Sequence, residues 1–197
     1  MRLLADTDIL CKLAATGLLA GAASLLGGQA HAVERLPALP RMLRRGSLRK
    51  MLGEELADKL IPLAESMPMV PVAPAGVAEL ITNKHNIDVG EVQLFAAAAN
   101  DTVLLMSGDK RALNAIASEK TVVPLLNGKI VCLEAMMLAL CHKQGTESIR
   151  AAVAQHARLD KVFSICFSPG NQAPDDCLSS YLADLQAAVK PLVLWMP

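Results

Sequence analysis

Aromatic residues are scarce in this chain: three Phe, one Tyr and one Trp among 197 residues, 3% of the total, although 53% of the residues are hydrophobic. The core must therefore be built from Leu, Ala, Val, Ile and the nine Met, a composition that suits helices packed closely on a sheet. An excess of charge is also missing. Lys plus Arg and Asp plus Glu both total 19, so nucleic-acid binding has to rest on a local patch and not on a global field. Paired cysteine spacing is absent as well. Cys11, Cys132, Cys141, Cys166 and Cys177 are odd in number and include no C-x-x-C, which points to a reducing compartment and a cytoplasmic protein. His142 beside Cys141 lacks the two further ligands a zinc site needs, and the pair reads as a helix end with the thiol buried and the imidazole exposed.

A long hydrophobic run is lacking too. Leu13 to Gly28 is apolar but spans 16 residues and is interrupted by glycines, short for a membrane crossing. Gln29 to Ala32 offers an A-x-A-like cleavage site, yet Asp6 and Asp8 stand where a secretory signal carries positive charge. The run reads as a buried helical hairpin turning near Gly27-Gly28, with no membrane partner. There is no internal repeat and no low-complexity linker, and the length suits one sizeable core with an appendage.

What is present centres on Asn86 to Ala117. Asp88 opens a helix with Glu91 three positions later, ahead of Val92, Leu94, Phe95 and Ala96 to Ala99. Asn100 and Asp101 break that pattern, and Thr102 to Met106 is an apolar run of the kind found in a strand covered on both faces. Ser107-Gly108-Asp109 ends the strand, and Lys110 to Ala117 resumes helical spacing. The N-terminus repeats the arrangement: the strand Arg2 to Ala5 runs into Asp6-Thr7-Asp8 and a helix through Ile9, Leu10 and Leu13. Acids just past strand ends lie at the edge where open α/β sheets bind ligands.

ADTDIL at the N-terminus, DVGE opening a mid-chain helix and LLMSGDKRAL after a later strand resemble the PIN-domain nucleases in order and position. The resemblance covers roughly residues 1 to 140. It implies a three-layer α/β/α sandwich with a short parallel sheet, and acids that hold Mg²⁺ or Mn²⁺ to cut RNA. Residues 1–144 then form a PIN-like nuclease domain and 145–197 a helical C-terminal extension. Asp6, Glu91 and Asp109 are the expected catalytic residues and metal ligands, with Asp8, Asp88, Thr7 and Ser107 auxiliary to them. The chain departs from the family in carrying Lys110 and Arg111 where many members have a further acid. Small members of the family serve as toxins of toxin–antitoxin pairs, which adds a protein antitoxin or inhibitor to RNA as an expected partner.

Each acid also has a structural reading. Asp88-x-x-Glu91 fits a capping box, and acids are favoured at helix N-termini whatever else they do. Capping does not account for their joint order and flanks. Three functions follow: a metal-dependent endoribonuclease; a catalytically inactive PIN-like binding or structural protein; and a nucleotide- or phosphate-binding α/β protein using Ser107-Gly108 and the following helix start, against which Asp109 would repel the ligand.

Elsewhere, Arg41, Arg44, Arg45, Arg49 and Lys50 form the densest charge in the sequence, with no acid among them. Either these arginines run beside an RNA backbone, or they are the solvated side of a helix whose Met42, Leu43, Leu48 and Met51 pack inward. Ser47 reads as the N-cap of a helix from Leu48 to Leu63. Met69 to Val72 and Thr121 to Leu125 are strand candidates, the first limited to an edge by Pro71. Ala75 to Thr82 reads as a short helix before a polar loop, Asn83 to Asn86, and Leu133 to Leu140 as an apolar helix whose Glu134 complements the dipole. In the extension, Glu147 to Leu159, Asp160 to Phe167 and Cys177 to Val189 have helical spacing. Leu178, Tyr181, Leu182, Leu185 and Val189 share a face that must be covered by the core or by a second copy in a homodimer. Leu192 to Trp195 reads as a docked end.

Overall fold

The computed structural model describes residues 1–72, 75–82, 84–100 and 102–197. Asn83 of the expected polar loop and Asp101 of the expected helix break lie outside the described residues. The architecture is α/β, with a four-stranded, all-parallel sheet and a majority of helix.

Strand β1, Arg2–Ala5, leads directly into α1, Thr7–Ala15, and then α2, Leu19–Leu25. The expected hairpin turns earlier than its sequence suggested. The bend of 116° falls at Thr16-Gly17-Leu18, where Gly17 takes φ +71°, and Gly27-Gly28 instead end α2. No single helix among the described residues is long and apolar enough to cross a membrane. Strand β2, Val33–Arg35, lies parallel to β1, and Arg35 is extended sideways by a bridge to Met69, all that forms of the Met69 to Val72 strand. Between them run α3, Leu39–Arg44, α4, Ser47–Leu52, and α5, Glu54–Ser66. The expected single helix is thus broken at Gly53, whose φ of +85° no side chain adopts easily. Ser47 is the first helical residue and makes no cap; Gly46 holds the capping position. Leu43 and Leu48 are buried as expected, but Met51 faces solvent.

Helix α6, Ala75–Ile81, packs against α7, Val89–Asn100. Seven residues of α7 are buried, Phe95 and four consecutive alanines among them, because their small side chains let the helix sit close against β3, Val103–Met106. All four residues of β3 are buried, as a strand covered on both faces requires. Helix α8, Lys110–Ala117, follows. The strand expected at Thr121 to Leu125 does not form. Pro124 occupies the first turn of a short helix, α9, Val123–Leu126, where its missing N–H is no loss. The fourth strand is β4, Ile130–Val131, only two residues long.

Helix α10, Leu133–Gln144, is buried from Leu133 through Cys141. Cys141 is buried and His142 exposed, and all five cysteines are free. Covering so apolar a helix takes more than one layer, and α11, Thr146–Ala154, and α13, Pro174–Ala188, pack on it, with α12, Lys161–Cys166, against α13. Helix α11 stops short of the expected Leu159, where a single 3-10 turn stands. Leu178, Leu182 and Leu185 join the same hydrophobic cluster as the strands. Leu192 and Leu194 are buried, and the Trp195 amide donates to the Ile130 carbonyl at 2.8 Å, docking the end of the chain.

Candidate functional site at the carboxyl edge of the sheet

The strand order is β2-β1-β3-β4. From β1 the chain moves outward to β2 and later returns to the other side for β3, so the order reverses between β1 and β3. A crevice opens outside the carboxyl ends of the two strands at such a switch point. Parallel register places Ala5 beside Met106 and Met106 beside Val131. The Asp6 amide donates to the Met106 carbonyl at 2.9 Å and the Ser107 amide to the Val131 carbonyl at 3.1 Å, which holds these strand ends side by side.

Asp6 caps α1, its carboxylate accepting from the Thr7 amide at 2.7 Å. Thr7 is buried, and its hydroxyl finds no hydrogen-bond partner among the described residues. Asp109 caps α8, accepting from the Arg111 and Ala112 amides at 2.8 and 3.1 Å, with the Arg111 guanidinium at 3.1 Å on its other oxygen. Asp88 and Glu91 form the expected capping box: the Asp88 amide donates to Glu91 at 2.7 Å, and the Glu91 amide to Asp88 at 2.8 Å. Between them Gly90 lies against Leu36, and a Cβ there would stand 2.7 Å from the Leu36 Cδ1. Ser107 is buried behind the edge.

Two open lobes share Asp6, Asp8, Asp109 and Arg111. One, of about 770 Å³, is walled by Asp88 and Glu91 on one side and by Leu36, Met42, Leu48 and Met51 on the other. The other, of about 470 Å³, faces the C-terminal helices and is lined by Lys12, Lys110, Glu134, Asp160, Lys161 and Tyr181. Of the basic run, Met42, Ser47 and Leu48 line the larger lobe and the arginines do not. Arg41, Arg44 and Arg45 are exposed, Arg44 pairs with Glu65, and Arg49 holds Asp58 at 2.6 Å and the Leu43 carbonyl at 3.2 Å.

The acids differ in their electrostatics. Burial lifts the Asp6 carboxyl to about 6; the Thr7 amide opposes this, and the charges of Asp8, Asp88 and Asp109 add to it. Burial likewise lifts Glu91 to about 7, with the Asp88 amide opposing and Asp88, Asp109 and Asp6 adding. Asp109 goes the other way. Burial pushes it up, but the Arg111 guanidinium and the two capping amides outweigh that and hold it below its ordinary value.

Sequence reasoning thus finds acids that feel one another across one cleft. Their side chains, however, turn to local partners: among the described residues no three His, Cys, Asp or Glu are gathered to hold a metal ion. It also missed several groups in the smaller lobe. Glu134 is 3% exposed and meets Lys110 at 3.4 Å, and Lys110 in turn lies 5.8 Å from the centre of the Tyr181 ring. Lys12 pairs with Asp8 and Asp160. The Asp8–Lys12 spacing of four was legible on a helix; Asp160, from the far end of the chain, had no signal but its place at a helix start. Comparison with protein-family models, with curated proteins and with solved structures gives no match.

Proposed function

We propose that the protein is a PIN-like, metal-dependent endoribonuclease, its parallel sheet the middle layer of an α/β/α sandwich and its carboxyl edge the active site. The observation that supports this is the placing of Asp6, Glu91 and Asp109 around one lobe at the switch point, where burial first, and neighbouring acids after it, raise the proton affinity of Asp6 and Glu91. The donor chemistry fits a hard divalent ion: every candidate ligand is oxygen, and the unpartnered Thr7 hydroxyl adds one beside Asp6. Asp6, Glu91 and Asp109 would hold Mg²⁺ or Mn²⁺. Such an ion supplies Lewis acidity, which activates water and offsets charge on the phosphoryl oxygens.

The chain's own residues do the rest. Asp6 and Asp109 are held at fixed places by the strands that precede them, and Glu91 lines the larger lobe while its carboxylate holds the Asp88 amide. Lys110 and Arg111 place positive charge at the rim, where a phosphate backbone would arrive, and the segment carrying Arg41, Arg44, Arg45 and Arg49 borders the larger lobe through Met42, Ser47 and Leu48. In this reading the biological role is that of a toxin, with a protein antitoxin as inhibitor.

A second reading, a PIN-like binding protein without catalysis, is favoured by Arg111 on Asp109 and by the closed capping box. Incubation of a mixed-sequence RNA with Mn²⁺ separates the two. Cleavage abolished by EDTA and by Asp6→Asn is the expected result. RNA retained but left whole by the parent in both Mg²⁺ and Mn²⁺ would establish the second.

A further inference from the structure

Lys12 is 7% exposed, although it lines the smaller lobe of the cleft. An ammonium withdrawn from water is tolerated only when paired. Its Nζ donates to two carboxylates: Asp8, one turn earlier on α1, and Asp160, 148 positions along the chain. Asp160 uses one oxygen to accept from the Val162 amide at 2.7 Å, capping α12, and the other to accept from Lys12. Burial works against the charge on Lys12, but the two carboxylates outweigh it and the ammonium is held more firmly than in water. A simple surface pair one helical turn apart needs neither burial nor a second acid from a distant segment. Two acids from distant parts of the chain thus meet on one cation, in a cleft that also holds Asp6 and Asp109.

We propose that the Lys12 ammonium fills a cation site formed by Asp8 and Asp160, so that the cleft keeps one place for a divalent ion, at Asp6, Glu91 and Asp109. The occupied site stands on the Lys12 contacts themselves, and only the single divalent ion rests on the nuclease reading. Lys12 then provides fixed positive charge on the side of the acids that faces the C-terminal helices. That charge requires no metal and ties the helices to the site through Asp160. It also makes α12 part of the site's electrostatics and not merely a cover for α10.

Mn²⁺ stoichiometry, counted by electron paramagnetic resonance on the full chain, tests this. The parent is expected to bind no more than one Mn²⁺. Lys12→Gln, which removes the charge and is one atom shorter, is expected to bind one more than the parent, since two carboxylates plus water suffice for such an ion. Lys12→Gln combined with Asp160→Asn is expected to return to the parent count. Two ions on the parent, or no additional ion on Lys12→Gln, overturns the proposal. Should Lys12→Gln lose its fold in EDTA, recovery of the fold on adding Mn²⁺ supports the assignment and failure to recover overturns it. A parent that binds no Mn²⁺ and leaves RNA whole removes the nuclease reading, while an added ion on Lys12→Gln still upholds the role of Lys12. A parent that cleaves RNA with no extra ion on the variant does the reverse.

Discussion

Asp6→Asn should stabilise the metal-free protein at pH 8, and the gain should vanish in acid. The carboxyl of Asp6 is moved from its ordinary 3.8 to about 6, chiefly by burial and then by neighbouring acids. A group whose folded value is raised contributes stability below its unfolded value and loses it as pH rises through the folded one, here between about 4 and 6. Above that window the folded state carries a charge it disfavours. At about 1.4 kcal/mol for each tenfold change in proton affinity, the cost at pH 8 is at most about 3 kcal/mol, because Asp6 is only partly buried. Asn removes the charge and keeps the cap: its side-chain oxygen still accepts from the Thr7 amide, and Asn and Asp cap helices equally well. In a chain of this length 1 kcal/mol is about 2–4 °C in Tm, so the expected gain at pH 8 is at most about 6–12 °C. Thermal melts in EDTA at pH 8 and pH 4.5, parent against variant, measure it. A loss of stability at pH 8, or a difference that does not change with pH, would refute the reasoning.

Asp109→Ala should cost about 0.5–2 kcal/mol, because the Arg111 and Ala112 amides lose their acceptor; a variant melting with the parent would show the cap to be dispensable. Leu178→Ala should cost about 2–5 kcal/mol, since Leu178 is wholly buried in the common core. Urea unfolding should then remain a single transition by every probe, and separate melting of residues 145–197 would show the extension to be an independent unit. Changing Arg44 and Arg45 to Gln should reduce the salt slope of RNA binding by about one logarithmic unit per lost phosphate contact. An unchanged slope would leave these residues as a solvated surface, with Arg44 serving only Glu65.

Much of the fold was legible where local chemistry and burial agree. Strands β1 and β3 are short apolar runs that end in polar residues, and their buried positions need covering on both faces. The cap at Asp160, the capping box at Asp88 and Glu91 and the docked end at Trp195 could be read from neighbours a few positions apart. The errors arose where tertiary pairing decides. Ile130-Val131 is too short to show a period and becomes a strand only because the Leu105 and Ser107 amides find the Lys129 and Val131 carbonyls. The more strand-like Thr121 to Leu125 is turned into helix by Pro124. Gly53 divides α4 from α5 through a backbone angle that apolar spacing does not report.

The acids of the candidate site were legible as helix-start acids at strand ends but not in their charge state, for a physical reason. At the carboxyl edge of a parallel sheet each strand runs into a helix, so an acid there is a helix cap and a cleft acid at once, and one sequence pattern serves both. Geometry alone leaves them joined, since Asp6 and Asp109 both accept from amides of the following helix. The sign of the electrostatic shift divides them. Asp109, held low by Arg111 and two amides, is an anion already partnered before any ion arrives. Asp6 and Glu91, pushed up by burial and then by neighbouring acids, are anions the fold tolerates at a cost, and a metal ion or a proton relieves that cost. Lys12 shows the third outcome: beside Asp8 and Asp160 the chain supplies the cation itself. The acids of the cleft thus divide by how their charge is met, and a bound cation should act most on Asp6 and Glu91, where it is met least.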